Sequence, residues 1–85
     1  MMPAMEQKTD GVSIYPNPAS AFIYVNTAER WLRAELHDTA GKVVKMEKLD
    51  GRQQFDIQMS DIQPGMYLLV LKAPGKQLVK KIVKM

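Results

Sequence analysis

Eighty-five residues, 46% hydrophobic and 25% charged, make one domain, burying roughly 60 to 65% of the surface its unfolded chain would expose. There is no cysteine and His37 is the only histidine, which excludes thiolate chemistry, Cys-containing zinc sites and a histidine cluster for a metal. The net charge of +3 is unevenly placed: Lys72, Lys76, Lys80, Lys81 and Lys84 have no acid among them, leaving seven basic against nine acidic residues before them. A nearly neutral body with a cationic end can meet nucleic acid, anionic lipid or an acidic protein groove.

The first ten residues lack the basic and apolar regions of a secretory signal peptide. Residues 1–11 therefore read as a linker remnant ahead of a domain over 12–85. No apolar run approaches the roughly 18 to 20 residues that cross a bilayer. Val12-Ser13-Ile14-Tyr15 is a strand ended by Pro16-Asn17-Pro18, where two prolines remove backbone donors and stiffen the chain. Ala21 to Asn26 is aromatic and β-branched. Trp31 to Asp38 sets Leu32, Ala34 and Leu36 against Arg33, Glu35 and His37, the period of a strand with one wet face.

Thr39-Ala40-Gly41-Lys42 is a turn, and Val43 to Leu49 sets Val44 and Met46 against Lys45 and Glu47. Asp50-Gly51 is the strongest hairpin signal in the chain. Gln54 to Met59 alternates again, and Ser60 to Gly65 is a longer connection with Pro64-Gly65 at its end. Gly65 is expected at positive φ. Met66 to Leu71 is apolar on both faces, as a central or partner-capped strand would be. Pro74-Gly75 turns the chain into a last strand that runs to Met85. There Leu78-Val79 and Ile82-Val83 flank Lys80-Lys81, so either a bulge intervenes or the outer face carries apolar residues for something to cover. Seven short strands at this spacing, with no convincing helix, predict an all-β sandwich.

Catalytic chemistry finds no home in this pattern. Glu35, Glu47 and Asp56 fall on wet strand faces, while Asp38, Asp50 and Asp61 sit where turns need them. His37 reads as a surface histidine with no nucleophile beside it. Gly41, Gly51, Gly65 and Gly75 are spread one per turn and cradle no phosphate. The expectation is no enzyme, no cofactor and no metal. Trp31 and Tyr24 could line a sugar-binding face, although a tryptophan at a strand start reads first as a core-edge residue. Nucleic acid would want stacking rings near the charge, and Tyr67 is the only aromatic residue in the last thirty. The cationic end therefore has two readings: lysines that protect an exposed edge, or a docking element for a protein partner built from Lys80, Lys81, Ile82, Val83 and Lys84.

Four segments taken in order carry a family resemblance: Tyr15-Pro16-Asn17-Pro18-Ala19-Ser20; Leu36-His37-Asp38-Thr39-Ala40-Gly41-Lys42-Val43-Val44; Pro64-Gly65-Met66-Tyr67-Leu68-Leu69; and Lys80-Lys81-Ile82-Val83-Lys84. Together they resemble the C-terminal sorting domain, type A, of proteins exported by the type IX (Por) secretion system. His37 stands where Tyr or Phe is common, and Met66 where Val is common. The resemblance implies an Ig-like antiparallel β-sandwich fused behind a cargo protein. It also implies passage through the periplasm to an outer-membrane translocon and its shuttle proteins, delivery to the cell surface or outside, and removal by a surface sortase-like peptidase near or before Val12. Two rival readings are a retained adhesive or carbohydrate-binding module and a docking domain of an accessory component of the machinery. An exposed edge strand also suggests a homodimer formed by strand exchange.

Overall fold

A computed structural model describes residues 11–85, so Gly11 alone of the expected linker 1–11 falls among the described residues. Seven strands follow in order: β1 Val12–Tyr15, β2 Phe22–Thr27, β3 Arg33–His37, β4 Val43–Lys48, β5 Gln54–Gln58, β6 Gly65–Ala73 and β7 Lys76–Lys84. They form two antiparallel sheets, one of order β1-β2-β5 and one of order β4-β3-β6-β7. The chain changes sheet after β2, β4 and β5, which is the connectivity of an Ig-like sandwich.

Period-two alternation delivers the core. Ile23 and Val25 from β2 and Ile57 from β5 face Ala34 and Leu36 from β3, Leu69 and Leu71 from β6 and Ile82 from β7, all buried. Each fully buried aliphatic side chain contributes about 1.5 to 3 kcal/mol. Leu49 and Met59 lie just beyond their strands and are wholly enclosed. β6 runs between β3 and β7; Tyr67, Leu69 and Leu71 enter the core, while Met66 and Leu68 on its other face stay exposed.

Two hairpins follow their turn chemistry. Pro74-Gly75 joins paired Ala73 and Lys76, with Gly75 at φ 76°, as a Pro-Gly turn requires. At the β3–β4 turn, Asp38 Oδ1 accepts from the backbone N–H groups of Ala40 at 3.0 Å and Lys42 at 2.9 Å. Asp50-Gly51 overturns its expectation. Both residues have positive φ, 51° and 85°, yet β4 and β5 lie in different sheets. The turn bonds to the segment ahead of β3 instead: Leu49 N donates to Leu32 O and Gly51 N to Trp31 O. Buried Leu49 anchors this corner and sends the chain across the sandwich.

Met46 is a second correction. Its pairing with β3 steps from His37–Val43 to Leu36–Lys45, leaving one extra residue on β4. This bulge keeps Val44 against the core and turns Met46 out to solvent, 64% exposed. In β7, by contrast, nine consecutive pairs with β6 show no shift, so no bulge intervenes there.

Candidate docking site

β7 is an edge strand: β6 satisfies one side of its backbone and the other side points outward. The outward groups of its last third are claimed by the loop after β1. Asn17 Nδ2 donates to Lys81 O at 3.1 Å, and Val83 N donates to Asn17 Oδ1 at 3.0 Å. Ala19 N donates to Val83 O at 2.7 Å, Met85 N donates to Ala19 O at 2.8 Å, and Ala19 pairs in parallel with Lys84. Pro16 and Pro18 have no N–H to give, so the side-chain amide of Asn17 stands in for a peptide group, one donor and one acceptor. Both X-Pro peptides of the loop are cis. Sequence reasoning placed Tyr15, Pro16, Asn17 and Pro18 in a motif but missed this clasp, whose partners lie more than sixty residues away.

The five expected recognition residues divide sharply. Ile82 is fully enclosed in the core. Lys84 is 8% exposed and its Nζ donates to Ile62 O at 3.0 Å. Val83 and Lys80 are half-buried, and Lys81 stands in solvent. Lys81 shares its face with Val79 and Val83 and sits opposite Leu68, while Met66 sits opposite Val83. Met66, Leu68 and Val79 are exposed. The outer face of the β6–β7 hairpin is therefore an apolar strip carrying a lysine, and the backbone edge of Gln77 and Val79 lies beyond the reach of the clasp.

The remaining motif residues hold the frame. Tyr67 is buried and donates its phenol proton to Gln63 O at 2.6 Å, the tyrosine corner of Ig-like domains. Gly41 sits at φ 87° after Asp38, with Lys42 closing the turn. Pro64 precedes Gly65, which opens β6 opposite Lys84 at φ 154°, the positive value expected and one that L side chains rarely adopt. A methyl group there would meet only Tyr67 Cε1, at 3.9 Å.

Glu35 corrects its expectation. It lies on the outer face of β3 as alternation requires, yet its side chain is only 8% exposed. Arg33 at 2.9 Å, His37 at 2.8 Å and Lys72 at 3.4 Å cover it. The hydrogen bond from His37 holds its carboxyl below the ordinary value, helped by Lys72 and Arg33 against the opposing effect of burial. Trp31 is buried, with the Lys76 ammonium 4.6 Å from its ring centroid and Lys76 also paired with Glu29. It cannot serve as a sugar platform. Among the described residues no group of three or more His, Cys, Asp or Glu side chains could hold a metal, and no helix is long and apolar enough to cross a membrane.

The chain matches the family of secretion system C-terminal sorting domains over residues 13–85. It belongs to that family. This sorting domain is a signal for type IX secretion, so it engages the secretion machinery and sends its protein to the cell surface or outside. Its fold is similar to part of a solved structure of PorZ, an essential bacterial surface component of the type-IX secretion system of human oral-microbiomic Porphyromonas gingivalis. The TM-score is 0.70 at 16% identity, over 89% of this chain and 12% of that one. The sorting domain thus spans a small part of PorZ, and the likeness is one of fold. No curated protein matches the chain.

Proposed function

We propose that the secretion machinery grips the sorting domain at the outer side of the β6–β7 hairpin. In this reading Lys81 steers the encounter, Met66, Leu68, Val79 and Val83 supply adhesion, and the open backbone of Gln77 and Val79 accepts a partner strand. Ile82, Lys84 and the Asn17 clasp hold the strand ready, and Lys80 flanks it. The supporting observation is that the clasp covers the last third of β7 and stops short of the outward backbone groups of Gln77 and Val79. The domain performs no chemistry of its own. It rides behind an upstream cargo, passes through the periplasm to an outer-membrane translocon with its shuttle proteins, and is removed by a sortase-like peptidase ahead of β1.

Deletion of Lys80 to Met85 from a full-length cargo tests dependence on the strand: the cargo should accumulate in the periplasm, and normal surface export would overturn the reading. Lys81→Glu combined with Val79→Asp alters only outward side chains and should give the same block with an unchanged melting midpoint. The likeness to PorZ favours a second reading, in which the domain is retained and docks its parent to the machinery. Mass spectrometry of the mature surface protein separates the two, since a retained domain supports docking and a missing one supports removal. Strand exchange at Gln77 and Val79 would give a homodimer, which light scattering on the purified chain would detect.

A further inference from the structure

The outer face of the three-stranded sheet has a different chemistry and takes no part in the docking reading. Across the ladders Tyr15 stands opposite Tyr24 and Tyr24 opposite Asp56; two residues along β2, Asn26 stands opposite Gln54. Phe22 adds a third ring: its centroid lies 5.0 Å from that of Tyr24, which lies 5.7 Å from that of Tyr15. Cross-strand rings stabilise a sheet, but these remain exposed, at 55% for Tyr15 and 43% for Tyr24.

Their polar neighbours are unspent. The side chains of Asn26, Gln54 and Asp56 and the two phenol hydroxyls make no hydrogen bond to any described residue, whereas the amides of Asn17 and Gln53 are committed to backbone carbonyls. Tyr15, Tyr24, Asn26, Gln54 and Asp56 border an open cleft of about 460 Å³. Arg52 at its rim is tied to Glu47 and to the carbonyls of Lys48 and Leu49. Every outward residue of β1, β2 and β5 is aromatic, amide, hydroxyl or carboxylate, and none is aliphatic. Aliphatic adhesion is concentrated on the other sheet, at Met66, Leu68 and Val79.

We propose that this face binds a neutral polysaccharide. A pyranose has an apolar C–H face that lies flat on a ring such as Tyr24 or Tyr15. It also has a rim of hydroxyls, each both donor and acceptor, which the amides of Asn26 and Gln54 and the carboxylate of Asp56 satisfy. One acid and no uncommitted cation on the face turn it away from anionic sugars.

Affinity electrophoresis of the full chain in native gels containing laminarin, mannan, hydroxyethyl cellulose or polygalacturonate tests the proposal. With polygalacturonate as a charge control that the lysines of a +3 chain attract on their own, at least one neutral polymer should retard the protein. Tyr24→Ala should weaken that retardation roughly tenfold. Because Tyr24→Ala could disturb the sheet, the double variant Gln54→Ala, Asp56→Ala, which removes only exposed polar groups, should lose retardation while keeping the parent melting midpoint. Free migration through every neutral polymer overturns the proposal, as does retardation by a neutral polymer that survives both variants. A dimer dissolved by Tyr24→Ala without retardation by any neutral polymer would overturn it too, assigning the face to a second copy of the chain. The docking residues lie on the other sheet, so failure here leaves the sorting reading untouched.

Discussion

The four-stranded sheet has two edges, and they are guarded in different ways. β4 relies on local devices: a bulge breaks its ladder at Val43 and Val44, and Lys45 is held by Asp61 at 2.9 Å, so its backbone is a poor template for another strand. β7 is closed by a distant part of the chain, through four hydrogen bonds from Asn17 and Ala19 that cover Lys81 to Met85 and stop there. Local protection discourages every partner alike. A clasp of fixed length leaves a defined opening beside it.

The contrast breaks most completely if β7 loses its anchor. Ile82→Ala empties a fully buried site and should cost about 2 to 5 kcal/mol in urea unfolding; a loss below 1 kcal/mol would show that the strand is not part of the core. Asn17→Ala removes two hydrogen bonds at an exposed loop and should cost about 1 to 2 kcal/mol. Its sharper signature is faster amide exchange at Val83 and Met85, with the β3–β4 amides unchanged. Equal protection in the variant would mean that Asn17 does not hold the strand.

Between the two edges, Glu35 links β3 to β6 through Lys72. Its carboxyl is depressed below 4.5, so the stability it brings is complete above about pH 4.5 and drains away as pH falls through the lower, folded value. Glu35→Gln should flatten this acid limb of the stability profile; an unchanged limb would assign it to other carboxylates. The smallest effect belongs to β4. Lys45→Ala removes an exposed ion pair, which contributes little to stability, and should leave the melting midpoint in place. A clear drop would mean that charge guards this edge more strongly than the bulge does.

Much of the frame was legible because it is written at short range. Alternation in Ile23-Val25, Phe55-Ile57 and Leu69-Leu71 marks the core, and Pro74-Gly75 and Asp38 carry their own turn chemistry. What escaped was set by distance along the chain. Asp50-Gly51 has the dihedral angles of a hairpin turn, but Leu49 and the Trp31-Leu32 carbonyls decide where the chain goes next. Lys84 looks solvent-bound in a run of lysines, yet its stem lies inside the sandwich and its amine ends on Ile62 O. Alternation placed Glu35 on the outer face and could not foresee that Arg33, His37 and Lys72 would roof it. The exposed apolar strip was half visible: paired apolar steps announced Val79 and Val83, while the clasp that limits the open edge pairs residues too far apart for any periodicity to register.

The clasp also fixes how a pull on the molecule is carried. A chain ahead of Gly11 enters through β1, and eight residues later, at Ala19, it is bonded directly to β7. Tension between a cargo and a gripped last strand would thus run along Val12–Ala19 and across a few hydrogen bonds to β7, without passing through β2 to β6. Strands β2 to β6 lie off that shortest path, so a towing load need not be carried through them.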